Sequence, residues 1–203
     1  MAQTGLQRQR VYDPVLRLIH AWNALAILIL LFSGQFTDWL GRGATVAPFW
    51  QAHVWAGYAL LLGLYARIVW GVIGPPPARL GALWQPCQWR HAWYRRHFFV
   101  APSSFGHHPV ASLIYLVVYA LLLGMLASGL ILAASAQNTG PLYTWLGHAS
   151  TVDPLARAPH GWGAYLLWLF LFTHLAALIL HPRRHGLPVA QAMISGYQYL
   201  KEK

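Results

Sequence analysis

The residues of this sequence with chemistry to offer are histidines and arginines set inside otherwise apolar runs. His160 and His174 are separated by fourteen residues, as are His20 and Gly34, and His53 and Arg67. On an α-helix fourteen residues rise about 21 Å and make nearly four whole turns, which leaves the two ends of each pair only about 40° apart around the axis. A helix carrying His160 and His174 therefore offers two imidazoles at two depths on much the same face. Imidazoles converging in pairs from facing helices form a bis-histidine axial ligand set, and two such sets at two depths can clamp two flat macrocycles within a bundle core. The expected cofactor is haem b, two per chain. A covalently attached c-type haem needs the motif C-x-x-C-H, and Cys87 is the only cysteine.

The elements that position these residues follow from composition. Of 203 residues, 57% are hydrophobic and only 9% charged, against about 25% charged in globular domains. A water-soluble fold is excluded. Apolar runs of spanning length cover residues 15–36, 53–74, 111–135 and 160–181. Each must satisfy its own backbone hydrogen bonds in lipid, and none alternates as a barrel strand does, so all four are expected to be helices. The predicted fold is all-α, a four-helix transmembrane bundle forming one domain over residues 1–203. The first run is long for the apolar core of a signal peptide, lacks an A-x-A-like cleavage site and begins with Arg17-Leu18-Ile19-His20, so it is expected to be a retained helix.

Charge sets the orientation. Arg8, Arg10, Arg79, Arg90, Arg95, Arg96, Arg183, Arg184, Lys201 and Lys203 fall in the two tails and the middle loop, whereas the other two loops hold only Arg42 and Arg157. By the positive-inside rule both termini are expected to be cytoplasmic, in a multi-pass protein of the bacterial inner membrane. The net charge of +10 then reports orientation and contact with membrane lipid rather than nucleic acid.

Alternating helix directions match the histidines by depth. His20 pairs with His174 toward the cytoplasm, and His53 with His160 toward the outside. Arg17 and Arg67, both at the inner level, are candidates to hold haem propionates, and Gly34 is a candidate to make room for the outer macrocycle. Each residue alone has a plainer reading: an interfacial hydrogen bond for a histidine, snorkelling for an arginine, close helix packing for the glycine. Those readings give no reason for two depth-matched pairs at equal spacing. Met125 falls between the two levels and reads as core packing. The remaining histidines, His107 and His108 among them, read as loop residues, with no ligand spacing for a dedicated metal site.

Several stretches carry a resemblance. They are the opening 12–22, with Arg17 three residues before His20; 53–58, followed by Arg67 and Trp70-Gly71; Gly106-His107-His108-Pro109; Ser128-Gly129-Leu130; and the closing 192–196. Together they resemble the bacterial cytochrome b561 and nickel-iron hydrogenase cytochrome b family over almost the whole chain. The resemblance implies haem iron ligands at His20, His53, His160 and His174. It differs at His108, where many relatives have Asn, and at Ser128, where many have Thr.

The function expected is electron transfer through two bis-histidine haems in a respiratory chain, between quinone or quinol and a periplasmic or membrane redox protein such as a c-type cytochrome or a hydrogenase-like subunit. Two alternatives stand beside it. One is a stand-alone quinol-dependent oxidoreductase acting on superoxide or ferric iron, and the other is a haem-free metal or proton transporter. The outer loops are too short to fold into a catalytic domain, and with Asp38 and Asp153 balanced by Arg42 and Arg157, docking there is expected to use apolar contacts of Trp39, Phe49, Trp50, Tyr143 and Trp145, whose other reading is an interfacial aromatic belt. Topology reporters fused after Lys203 and within residues 79–96 should give cytoplasmic signals; a periplasmic signal at either site inverts the orientation.

Overall fold

The computed structural model describes residues 6–41, 46–95, 108–146, 152–185 and 191–201. Four helices in it are long and apolar enough to cross a membrane. In chain order the elements are β1 (Leu6–Arg10), α1 (Pro14–Leu40), α2 (Ala47–Ile73), two short 3-10 turns, α3 (Pro86–Arg95), α4 (Pro109–Gln137), α5 (Tyr143–Leu146), α6 (Val152–His185), α7 (Ala192–Ser195) and β2 (Tyr197–Lys201).

Each spanning helix outruns its apolar stretch. The helix that the hydropathy pattern starts at residue 160 begins at Val152, and the one it starts at residue 53 begins at Ala47. Hydropathy stops where Asp153, Arg157 and Gln51 appear, but backbone hydrogen bonding does not, because a helix can project polar side chains from its ends. His160 and His53 therefore sit inside regular helix and not at its first turn. Gly41, at a φ of 76°, then closes α1 through Gly41 N–H to the Thr37 carbonyl at 3.2 Å.

The chain divides into two compact units. One comprises residues 22–64 and 118–171, the other residues 1–21, 65–117 and 172–203. In the first, Ala26 and Leu31 of α1, Leu60 and Leu64 of α2, Leu122 of α4 and Leu167 of α6 form a single core, which makes this unit a four-helix bundle. Trp22 Nε1 donates to the Ala59 carbonyl at 2.8 Å and ties α1 to α2.

The second unit holds the two tails. A two-stranded antiparallel ribbon, absent from the all-α expectation, pairs Leu6 with Lys201 through Arg10 with Tyr197. Five-residue tails rich in Gln, Tyr and Arg have no apolar run to announce them, and the ribbon exists because the ends of the chain meet. Gly196 makes the junction. At a φ of 87° its carbonyl accepts from both Val11 and Tyr12 N–H, at 2.9 and 3.1 Å. Beneath it Val11, Tyr12, Leu16, Ala78 and Ala192 are buried together, with Trp70 and Met193 against them.

Asp13 joins the tail to the helices. Its Oδ1 accepts from Val15 and Leu16 N–H, both at 3.0 Å, and caps α1 just ahead of Pro14. The same oxygen accepts from Trp70 Nε1 of α2 at 3.1 Å. Outward, the long helices present large apolar side chains, among them Leu18, Trp55, Val72 and Trp162, all more than two-thirds exposed. That surface suits lipid and not water.

Asp13→Ala should lower the thermal unfolding midpoint of the detergent-solubilised protein, through a lost cap worth about 1 kcal/mol and an indole left without an acceptor at about 1–3 kcal/mol. Asp13→Asn keeps the Oδ1 acceptor and should recover most of the loss.

Candidate functional site

The bundle of residues 22–64 and 118–171 brings His53 of α2 and His160 of α6 together, edge-on to each other. Their ring centroids lie 6.2 Å apart, with the planes at 66°. Two imidazoles that share one metal ion, each bonded at about 2 Å, have centroids roughly 6 Å apart once the half-width of each ring is added. The spacing fits a single iron between the rings. Both line a cavity of about 490 Å³, within the range of cofactor sites.

Each ring is seated by the helix that precedes its own among the four spanning helices. Ser33 Oγ of α1 lies 3.0 Å from His53 Nδ1, and Ser128 Oγ of α4 lies 2.9 Å from His160 Nδ1. The residue after each serine is a glycine. A Cβ at Gly34 would stand 3.4 Å from His53 Cε1, and one at Gly129 would stand 3.3 Å from His160 Cε1. The ring edge bearing Nδ1 and Cε1 thus rests on a Ser-Gly step, and Nε2 is left on the other side. Gly34, expected to make room for a macrocycle, lines the cavity, and a Cβ there would meet His53 Cε1 only in ordinary van der Waals contact.

All four spanning helices contribute a glycine to the cavity wall: Gly34, Gly57, Gly129 and Gly161. Glycine at these positions lets a flat group lie against backbone. The rest of the wall is mainly leucine and aromatic, with Trp50 edge-on to His53 at 5.9 Å between centroids. Polar groups gather on Thr37, Asp38, Gln137 and Arg157. Arg157 is held by Asp153 four residues earlier, at 2.8 to 3.1 Å. Met125, read from the sequence as core packing, packs into the core and also lines this cavity.

The other four candidates fall together in the second unit. His20 and His174 are within electrostatic range of each other. Arg67 is only 5% exposed, so its side chain is turned into the protein and not out toward headgroups. Arg17 donates from a terminal nitrogen to the Ser195 carbonyl at 3.3 Å, and its Nε is buried with no hydrogen-bond partner among the described residues. A buried guanidinium nitrogen without an acceptor fits the carboxylate of a bound group.

His108 has a local role. Its Nδ1 accepts from Val110 N–H at 3.3 Å at the start of α4, and burial holds the imidazole below its ordinary pKa, in the neutral form that can accept. Of the five outer aromatics, Trp39 and Trp145 are more than three-quarters exposed. Phe49 packs on Phe36 and Trp50 on His53, although Trp50 and Phe36 both remain exposed. Arg42, Arg96, His97, His107, His148 and Lys203 lie outside the described residues.

Ser33 and Gly129 were not singled out as site residues by sequence reasoning. A signal was present, since the dipeptide Ser-Gly occurs at 33–34 and again at 128–129, each inside an apolar run.

Comparison with known proteins gives a consistent result. The sequence profile of the prokaryotic cytochrome b561 family matches residues 11–196. Curated relatives include proteins named as probable Ni/Fe-hydrogenase B-type cytochrome subunits. The one from Cupriavidus necator is 26% identical, with 95% of this chain and 87% of the relative covered. The one from Rhizobium leguminosarum is 24% identical, covering 99% and 94%, and that from Azotobacter vinelandii 22%, covering 95% and 89%. No solved structure matches significantly.

His53→Ala and His160→Ala should remove the same spectroscopic component from the purified protein, and His20→Ala and His174→Ala the other. Redox titration of the four variants reads this directly. Loss of one shared component from His20→Ala and His53→Ala breaks the pairing.

Proposed function

The chain belongs to the prokaryotic cytochrome b561 family and is a multi-pass membrane electron-transfer protein, and on that premise we propose that it carries two b-type haems, one held by His53 and His160 and one by His20 and His174. The observation that carries this reading is the His53–His160 pair, 6.2 Å apart across a glycine-walled cavity. The family name and the "B-type cytochrome" in the relatives' names support haem b as the group.

Bound there, the haem iron supplies reversible one-electron transfer. The protein does the rest. His53 and His160 offer one nitrogen each from opposite sides, and the leucine and aromatic wall excludes water. Arg17 and Arg67 supply positive charge to the carboxylates of the second group. The helices hold the ligands still, so that little rearrangement accompanies a change of charge.

Electrons then pass between the quinone pool and a redox partner. The relatives' names support a hydrogenase-type partner; a c-type cytochrome is the other partner class this reading admits. The excess of basic residues in the tails and the middle loop supports cytoplasmic termini. The His53–His160 site then faces the periplasmic side.

Pyridine haemochrome analysis of the purified chain should return two b-type haems. One haem deletes one of the two pairs, and none overturns the haem reading in favour of a metal or proton transporter. In liposomes, quinol should reduce the protein, with sustained turnover only when a redox partner is added. Fast turnover of superoxide or ferric iron without a partner makes it a stand-alone quinol-dependent oxidoreductase.

A further inference from the structure

We propose that Ser33 and Ser128 are positioning residues that hold His53 and His160 in the Nδ1–H tautomer, present both Nε2 lone pairs to the cavity, and so set the reduction potential of the group bound there. The proposal rests on the haem reading above and concerns how this chain tunes that site.

A serine hydroxyl has one proton to give and two lone pairs to receive with. Ser33 Oγ lies 3.2 Å from the Leu30 carbonyl and 3.0 Å from His53 Nδ1. The carbonyl can only accept, so a hydroxyl that satisfies both contacts donates to Leu30 and accepts from Nδ1–H. Ser128 repeats the arrangement, with the Gly124 and Met125 carbonyls at 2.9 and 3.1 Å and His160 Nδ1 at 2.9 Å. The opposite tautomer puts an N–H on each Nε2, facing the other imidazole across a wall of leucine and glycine, where neither finds an acceptor. Burying such a donor is costly. The Nδ1–H tautomer instead leaves two lone pairs converging on the space between the rings, where a bound iron would satisfy both.

The device has a second part. At Gly34 and Gly129, each next to its serine, an added Cβ would stand 3.4 and 3.3 Å from the Cε1 of the imidazole, which is close contact and not exclusion. The hydroxyl fixes which nitrogen faces inward, and the ring edge lies within van der Waals reach of the glycine beside it. Ser33 is only 5% exposed, so water does not replace it readily. Because the Ser-Gly step occurs on α1 for the ring of α2 and on α4 for the ring of α6, the two axial ligands are held in the same way from the two sides.

An Nδ1–H that donates makes its imidazole a more basic ligand, which favours the oxidised metal. Ser33→Ala and Ser128→Ala in the full-length haem-loaded protein should each raise the midpoint potential of one component, leave the other unmoved, and weaken retention of that haem roughly 10- to 100-fold. Ser33→Thr and Ser128→Thr keep the hydroxyl and should restore both potential and haem content. Full haem retention and an unshifted potential in both alanine variants overturn the proposal. An equal shift in the alanine and threonine variants also overturns it, because packing and not the hydroxyl is then responsible. A wild-type chain that binds no haem removes the haem reading itself, which no serine variant can do.

Discussion

An imidazole inside an apolar bundle is held only if its polar atoms are spoken for, and the arrangement around His53 and His160 follows from that constraint. A ring with two nitrogens and no hydroxyl or carbonyl beside it would be expelled toward water or would need a charged partner. The serines provide for one nitrogen of each ring, at 3.0 and 2.9 Å. The cavity receives the other. Helix spacing, glycine placement and the length of α2 and α6 beyond their apolar stretches all serve to keep those two rings opposed.

The same economy applies at the tails. With so few charged residues the protein has little electrostatic material, and Asp13 is used three times over, as a cap for two backbone donors and as the acceptor for Trp70. Its position just before a spanning helix places a negative charge at a helix N-terminus, where the dipole favours it. The ribbon of β1 and β2 closes over the same core, and Arg8 stacks on the Tyr197 ring at 3.9 Å. This cation–π contact joins the first and last strands beside their backbone pairing.

Packing in lipid also explains what is not tuned. The outer surfaces of the long helices carry leucine, valine and tryptophan at high exposure, because nothing is gained by matching them to a partner side chain when the solvent is itself apolar. Specificity is concentrated on the inward positions, where small residues admit close neighbours and Ser33 and Ser128 meet the two imidazoles. Arg67, nearly fully buried, belongs to this inward set despite its charge.

Hydropathy and length alone settled that the chain is helical and spans a membrane four times, since lipid leaves the backbone no other open course. Fourteen-residue spacing settled which residues share a helix face, because helix geometry is the same in every sequence. Those two rules, with the alternating direction of the helices, make His20, His53, His160 and His174 the candidates. The sequence could not say what touches a ring. That Ser33 and Ser128 meet Nδ1, that Gly34 and Gly129 face Cε1, and that Asp13 reaches Trp70 across 57 positions depend on how neighbouring helices rotate against each other, which single-helix periodicity does not contain. The tail ribbon escaped for the same reason, since two polar five-residue strands have no signature until the ends of the chain are brought together, and only the tertiary structure does that.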